Sequence, residues 1–211
     1  MKPSPFMENL TTELNQLITA FTSNLPVFLI FLGSLWLAHF VNVLLFKKNL
    51  HFLGIYPRHP AGLLGIVFSP FLHCDLNHLM VNSLMLTVLG LFILLHGAFS
   101  FWIITGIIII ISGALTWLLG RKMIHIGASG LVMGYWGFVL VNAYHTPTVL
   151  SIAVAAVCLY YFSSMFANLL PQGKEVSWEG HVFGFIAGII AALSYPQVAV
   201  YLIQHNILTP P

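Results

Sequence analysis

The sequence predicts an all-α polytopic membrane protein with six spanning helices. Three observations carry that prediction. Of the 211 residues, 59% are hydrophobic and only 6% are charged, whereas an average soluble domain is about one quarter charged. Apolar runs near the roughly 20 residues that a bilayer crossing requires recur along the chain between short polar breaks. Those runs are continuous rather than alternating, which disfavours a barrel and favours helices that satisfy their own backbone in lipid.

Residues 1–24 are mixed and polar and lack the basic, apolar, then small-residue order of a cleaved signal, so they read as a short cytoplasmic or interfacial lead-in. The first span covers 25–46 and stops at Lys47-Lys48. Residues 47–75 form the one long loop; it is too apolar and aromatic for a free linker and is expected to lie in the interface or pack on the bundle. Further spans follow at 76–95, 101–119, 129–144, 149–170 and 181–203, so one domain covers 25–203 before a tail at 204–211.

The net charge of +2 implies no polyanionic partner, and the sequence contains no nucleotide-binding glycine loop or nucleic-acid patch. No cofactor is expected. Cys74 and Cys158 fall at different depths and make no disulfide framework; both read as small buried apolar residues. The HExxH motif of a metalloprotease is absent, and the ligand-type run His73 to His78 overlaps the residues assigned below to another chemistry, so no metal site is expected.

Polar groups in hydrocarbon are costly and tend to face a partner or a cavity. Four sites stand out: His39 with Asn42 in the first span, His78 with Asn82 entering the second, Ser129 opening the fourth and His181 opening the sixth. Antiparallel spans put the starts of the second, fourth and sixth on one membrane face, where these residues can converge. His78 and Asn82, four apart in "HLMVN", share one helix face. A serine nucleophile needs an imidazole to take its proton and donors aimed at the developing oxyanion. His181 is the candidate base; His78, Asn82 and the Ser129 backbone N–H are the candidate donors. Each signal also has a plainer reading: Ser129 as a helix cap, His181 as an interfacial histidine, and His78 with Asn82 as a pair joining helices. His39 and Asn42 suggest interhelical hydrogen bonding and no chemistry.

"GASG" at 127–130, "GHVFGFIAG" at 180–188, "HCDLNHLMVN" at 73–82 and the preceding "GIYPRHPAGLLGIVFSPFLH" together resemble the bacterial rhomboid intramembrane serine proteases, over about residues 25–203. The resemblance implies a six-helix rhomboid-like bundle. It makes Ser129 the nucleophile, His181 its general base and later acid, and His78 with Asn82 oxyanion stabilisers, in a two-residue catalytic pair. Gly127 and Gly130 flank the nucleophile, and Gly184 and Gly188 form a smooth ridge that lets the last helix approach the serine-bearing one. Met133 stands where many members carry an aromatic residue. Substrates would be single-pass or polytopic membrane proteins entering laterally from the bilayer, near the second and fifth spans, with residues 171–180 as a lid hinged at Gly173 and Gly180. Glu179 is expected to be solvated. The alternative is a catalytically inactive relative that binds or escorts membrane helices.

The family orientation, in a bacterial inner membrane with an extracytoplasmic active site, conflicts with the charge distribution. Lys47, Lys48, Arg58, Arg121, Lys122 and Lys174 lie on the active-site side and only Lys2 on the other. Six against one runs counter to the positive-inside rule.

Overall fold

The computed structural model describes residues 5–171, 173, 177–205 and 207; for 5–10, 12–14, 16–17 and 20 only the backbone is described. Among the described residues seven α-helices follow in order: α1 (Pro5–Leu44), a short α2 (Gly65–Phe68), α3 (Leu76–Leu94), α4 (Ala98–Leu119), α5 (Ser129–His145), α6 (Val149–Phe162) and α7 (Trp178–Gln204). Among the described residues, Phe21–Leu44, Leu76–Leu94, Ala98–Leu119, Val149–Leu169 and Trp178–Gln204 are long and apolar enough to cross a membrane. The remaining expected span, the fourth, is α5, whose 17 residues reach only about 25 Å at 1.5 Å per residue. It is short because it is the central helix, buried continuously from Leu131 to Val139 and screened from lipid by its neighbours.

Where the sequence suggested a separate lead-in, α1 runs unbroken from Pro5 through Pro26. Residues 5–24 include three Leu and two Glu, good helix formers, and after Pro5 no proline or glycine interrupts them. Asn24 marks the membrane end by accepting a hydrogen bond from the Ala98 backbone at the start of α4, 3.1 Å away. At its other end α1 stops where Lys47 and Lys48 take left-handed φ of 48° and 67°. Asn42 stabilises that stop, its side-chain oxygen accepting from the Leu50 N–H at 3.0 Å.

The long loop packs on the bundle. It folds into 3-10 turns at Asn49–Leu53, Pro60–Leu63 and Ser69–Phe71 around α2. Ile55 pairs with His125 in an antiparallel bridge. The Trp117 indole on α4 donates to the His59 carbonyl at 2.9 Å, and the Arg58 guanidinium donates to the Leu118 carbonyl at 3.0 Å. Arg58 thereby satisfies carbonyls that the end of α4 leaves without helical partners, its backbone N–H reaching the Trp117 carbonyl at 2.9 Å as well.

The core gathers round α5. Phe28, Phe31 and Leu35 from α1, Leu86 and Leu89 from α3, and Phe101 and Ile104 from α4 meet Tyr135, Trp136 and Phe138. Of the polar groups that α5 buries, the Tyr135 hydroxyl lies 2.6 Å from that of Thr105, whereas the Trp136 indole nitrogen has no partner among the described residues. On its other side α5 runs parallel to α7, glycine against glycine. A Cβ on Gly130 would stand 3.2 Å from the Gly180 carbonyl, one on Gly134 3.1 Å from the Gly184 carbonyl, and one on Gly137 2.6 Å from the Phe185 carbonyl. Such contact is possible only where side chains are missing.

Candidate active site

The cap position of α5 is held by Ala128, and no side chain caps this helix. Ser129 is the first helical residue, so the plainer reading of it as a cap is set aside. Among the described residues its hydroxyl has no hydrogen-bond partner. A cavity of about 40 Å³, with Ser69, Ser112, Thr116, His125 and Ser177 in its wall, opens beside it.

Gly127 holds the approach to Ser129. Its φ of 116° is one that glycine tolerates and side chains resist, and its N–H donates to the Ser69 carbonyl at 2.9 Å. A Cβ there would lie 2.6 Å from His78 Cε1, 2.8 Å from His78 Nε2 and 3.7 Å from Asn82 Nδ2. His78 and Asn82 therefore both face the backbone that leads into the serine. Among the described residues the buried Asn82 amide nitrogen has no hydrogen-bond partner.

The start of α3 is fixed by Asp75, whose carboxylate accepts from the His78 N–H at 2.8 Å. That bond holds the Asp75 carboxyl below the usual carboxylate range. Cys74 is exposed rather than buried, because it lies at the polar helix start. Its Sγ donates to Asp75 Oδ2 at 3.1 Å and lies 3.3 Å from His78 Nδ1. Cys158 is buried, as expected.

His73 is a residue of this site that the sequence argument did not single out. It is fully buried, and its ring meets that of His78 edge-on at 5.1 Å. Its Nε2 accepts from the Ala128 N–H at 3.4 Å, and its carbonyl accepts from His51 Nε2 at 3.3 Å. Burial first, and the neighbouring His78 second, lower its pKa to about 3, so the ring is neutral. The signal was the first histidine of "HCDLNH", five residues before His78 and ahead of the helix that carries it.

His181, in the first turns of α7, is half-buried and bonds through Nδ1 to the Asn168 carbonyl at 3.1 Å. A carbonyl can only accept, so Nδ1 carries the ring proton and Nε2 keeps its lone pair. Gly184 and Gly188 both lie against α5 backbone: a Cβ on Gly184 would meet the Gly130 carbonyl and one on Gly188 the Gly134 carbonyl. Met133, one turn beyond Ser129, is buried in the core cluster.

Glu179 is not solvated. It is 4% exposed and paired with Arg121, whose Nη2 donates to Oε2 at 3.0 Å while Nε meets Oε1. A carboxylate buried at a helix start needs such a partner, and sequence distance hid it: Arg121 lies 58 residues away. Beside it His125 Nδ1 accepts from the Ser177 hydroxyl at 2.6 Å, and His125 Nε2 donates to the Arg121 carbonyl at 3.0 Å. Burial keeps His125 below the ordinary histidine range. Of the expected lid, residues 172 and 174–176 lie outside the described residues, while Ser177 is tied down and Gly180 belongs to α7, which removes Gly180 as a hinge.

His39 and Asn42 are buried at the loop end of α1, each with one nitrogen unpartnered among the described residues. Among the described residues no group of three or more His, Cys, Asp or Glu side chains is gathered as a metal site requires.

The family model described as "Rhomboid domain" matches residues 60–197. An uncharacterized protein of Mycobacterium tuberculosis is 36% identical over 180 residues, covering 80% of this chain and 75% of its own length. One from Mycobacterium leprae is 32% identical over 197 residues, covering 88% and 77%. An Acanthamoeba polyphaga mimivirus protein whose name includes the word rhomboid is 23% identical over 143 residues, covering 64% of this chain and 77% of its own. With its helical bundle and a family match across the stretch that carries His78, Asn82, Ser129 and His181, the chain belongs to the rhomboid family.

Proposed function

We propose that the protein is an intramembrane serine endopeptidase that cleaves transmembrane-helix substrates with Ser129 and His181. The observation that carries this reading is the convergence at the start of α5. An uncapped serine follows a glycine that admits His78 and Asn82, on a helix pressed by glycine contacts against the one that carries His181. In the proposed reaction Ser129 Oγ attacks the scissile carbonyl carbon and its proton passes to His181 Nε2. The carbonyl oxygen, now negative, lies against donors from His78, Asn82 and the Ser129 N–H. His181 then protonates the departing amine as the C–N bond breaks, leaving an acyl-serine. Water repeats the sequence: His181 takes its proton, its oxygen attacks the ester, and Ser129 recovers the proton. No metal or cofactor takes part in these steps.

The substrate would enter laterally from the bilayer and unwind locally, because helical peptide bonds are shielded from attack. The site would face outward from a bacterial inner membrane.

One observation favours a second reading, a relative that binds membrane helices without cutting them: Ser129 Oγ is not hydrogen-bonded to His181 among the described residues. Catalytic hydrogen bonds often tighten only when substrate binds. The experiment is labelling of the purified protein by a fluorophosphonate probe, comparing wild type with Ser129→Ala and His181→Ala. Labelling lost in both folded variants supports the protease. Folded wild type that stays unlabelled beside a labelled rhomboid protease supports the non-catalytic relative.

A further inference from the structure

The aromatic pairs Trp136–Phe185 and Phe138–Tyr195 interlock α5 and α7 further along their length, but at the starts of the two helices the contact is glycine against glycine, a smooth surface that leaves the two ends free to slide and rotate on one another. Ser129 and His181 sit at the ends of those two helices, and a shift of about 1 Å at a reacting pair is enough to cost on the order of a hundredfold in rate. Something else must lock the two starts together.

We propose that Arg121 and Glu179, with His125 and Ser177, form a positioning clamp that sets Ser129 against His181; this rests on the serine-histidine reading above. The clamp joins the segment entering α5 to the segment entering α7 at two points. Arg121 forks across both oxygens of the buried Glu179, two residues before His181. The Ser177 hydroxyl donates to His125, four residues before Ser129, and His125 in turn holds the Arg121 carbonyl. The two ties share Arg121, so they hold the entering segments as one unit. A two-point fork fixes direction as well as distance, which a single charge contact does not. Glu179 also lies in the first turn of α7, where a carboxylate suits the helix dipole. None of the four residues touches the reacting atoms in this arrangement; they act through the placement of the other two.

The test measures the rate of fluorophosphonate labelling as a function of probe concentration, separating the maximal rate from the half-saturating concentration, with thermal unfolding recorded in parallel. Arg121→Lys keeps the charge and loses the fork; Glu179→Asp shortens the arm; Ser177→Ala removes the second tie alone and serves if the first two fold poorly. The clamp predicts a maximal rate lowered about tenfold in Arg121→Lys and severalfold in Ser177→Ala, at unchanged half-saturation and with the same pH profile. It also predicts partial recovery in the exchanged pair Arg121→Glu with Glu179→Arg. Variants labelled at the wild-type maximal rate would overturn the clamp and leave the protease reading standing. A loss that only tracks the fraction of unfolded protein would overturn it too, reducing the four residues to fold stability. Unlabelled wild type beside a labelled rhomboid protease would overturn the protease reading itself, and the clamp's role with it.

Discussion

His181 gives its Nδ1 proton to the Asn168 carbonyl at 3.1 Å, and that one bond decides which face of the ring stays basic. The bond reaches from α7 to the turn after α6, so the imidazole is oriented by backbone rather than by a carboxylate. His181→Gln keeps a donor for Asn168 but has no basic nitrogen. The expected result is a folded protein whose probe labelling falls by at least a hundredfold, in line with the loss of a general base. Labelling within threefold of wild type would remove His181 from the mechanism.

Asn82 presents a conflict between stability and function. Its amide nitrogen is buried without a partner among the described residues, which costs a folded protein about 1–3 kcal/mol. Asn82→Leu removes that cost and, if the site needs the amide for an oxyanion, removes activity as well. The variant is expected to unfold at a higher temperature than wild type while cleaving a model transmembrane substrate about 100- to 1000-fold more slowly. A rise in stability without loss of cleavage would make Asn82 a residue of packing only.

Gly127 and Gly97 share a positive φ, 116° and 89°, and differ in surroundings. A Cβ at Gly127 would press on the His78 ring, whereas at Gly97 it would meet nothing within 4 Å. Both alanine variants should be destabilised by about 1–3 kcal/mol for the backbone. Only Gly127→Ala should lose probe labelling. Equal labelling in the two variants would show that His78 does not need the space that Gly127 leaves.

Much of the candidate site was legible in the sequence because its residues sit in short motifs at helix starts. Ser129, His78, Asn82 and the Gly184–Gly188 ridge needed only local spacing and the antiparallel count of spans. The rest depended on contacts that no window contains. Arg121 reads as one more loop cation until Glu179 is found beside it, and Glu179 reads as solvated for the same reason. His73 shares its histidine-rich run with His78, but its burial comes from the folded loop and Ala128. The α1 extension was missed on a different ground: polar residues argue against a membrane span, not against a helix.

Acid should loosen the fold through His73. In the unfolded chain its ring titrates near the ordinary value of 6.5, whereas in the folded protein its pKa is about 3. Between those two values the unfolded chain binds the extra proton, so stability falls as pH drops through that window and is fully retained above it. The wild type should therefore lose more thermal stability between pH 7 and pH 4 than His73→Asn does, measured in the same detergent. Parallel losses would mean that other buried histidines carry the acid response.

The basic residues on the active-site side have work to do in the folded state. Lys48 donates to the Cys74 carbonyl at 2.9 Å, Arg58 to the Leu118 carbonyl at 3.0 Å, and Arg121 is paired with Glu179. Two of these satisfy carbonyls at the polar end of the bundle, and the third neutralises a buried carboxylate, so their positions follow from the fold rather than from membrane orientation. The positive-inside rule is a statistical preference read at insertion, and three of its six dissenting charges are accounted for in this way. A reporter that distinguishes the two sides of the membrane, fused after Gln204 at the end of α7, is expected to report the cytoplasm, with α5 and α7 starting on the outer face. A reporter active outside would reverse the orientation: Ser129 and His181 would then face the cytoplasm, and substrates would be cut at their inner ends.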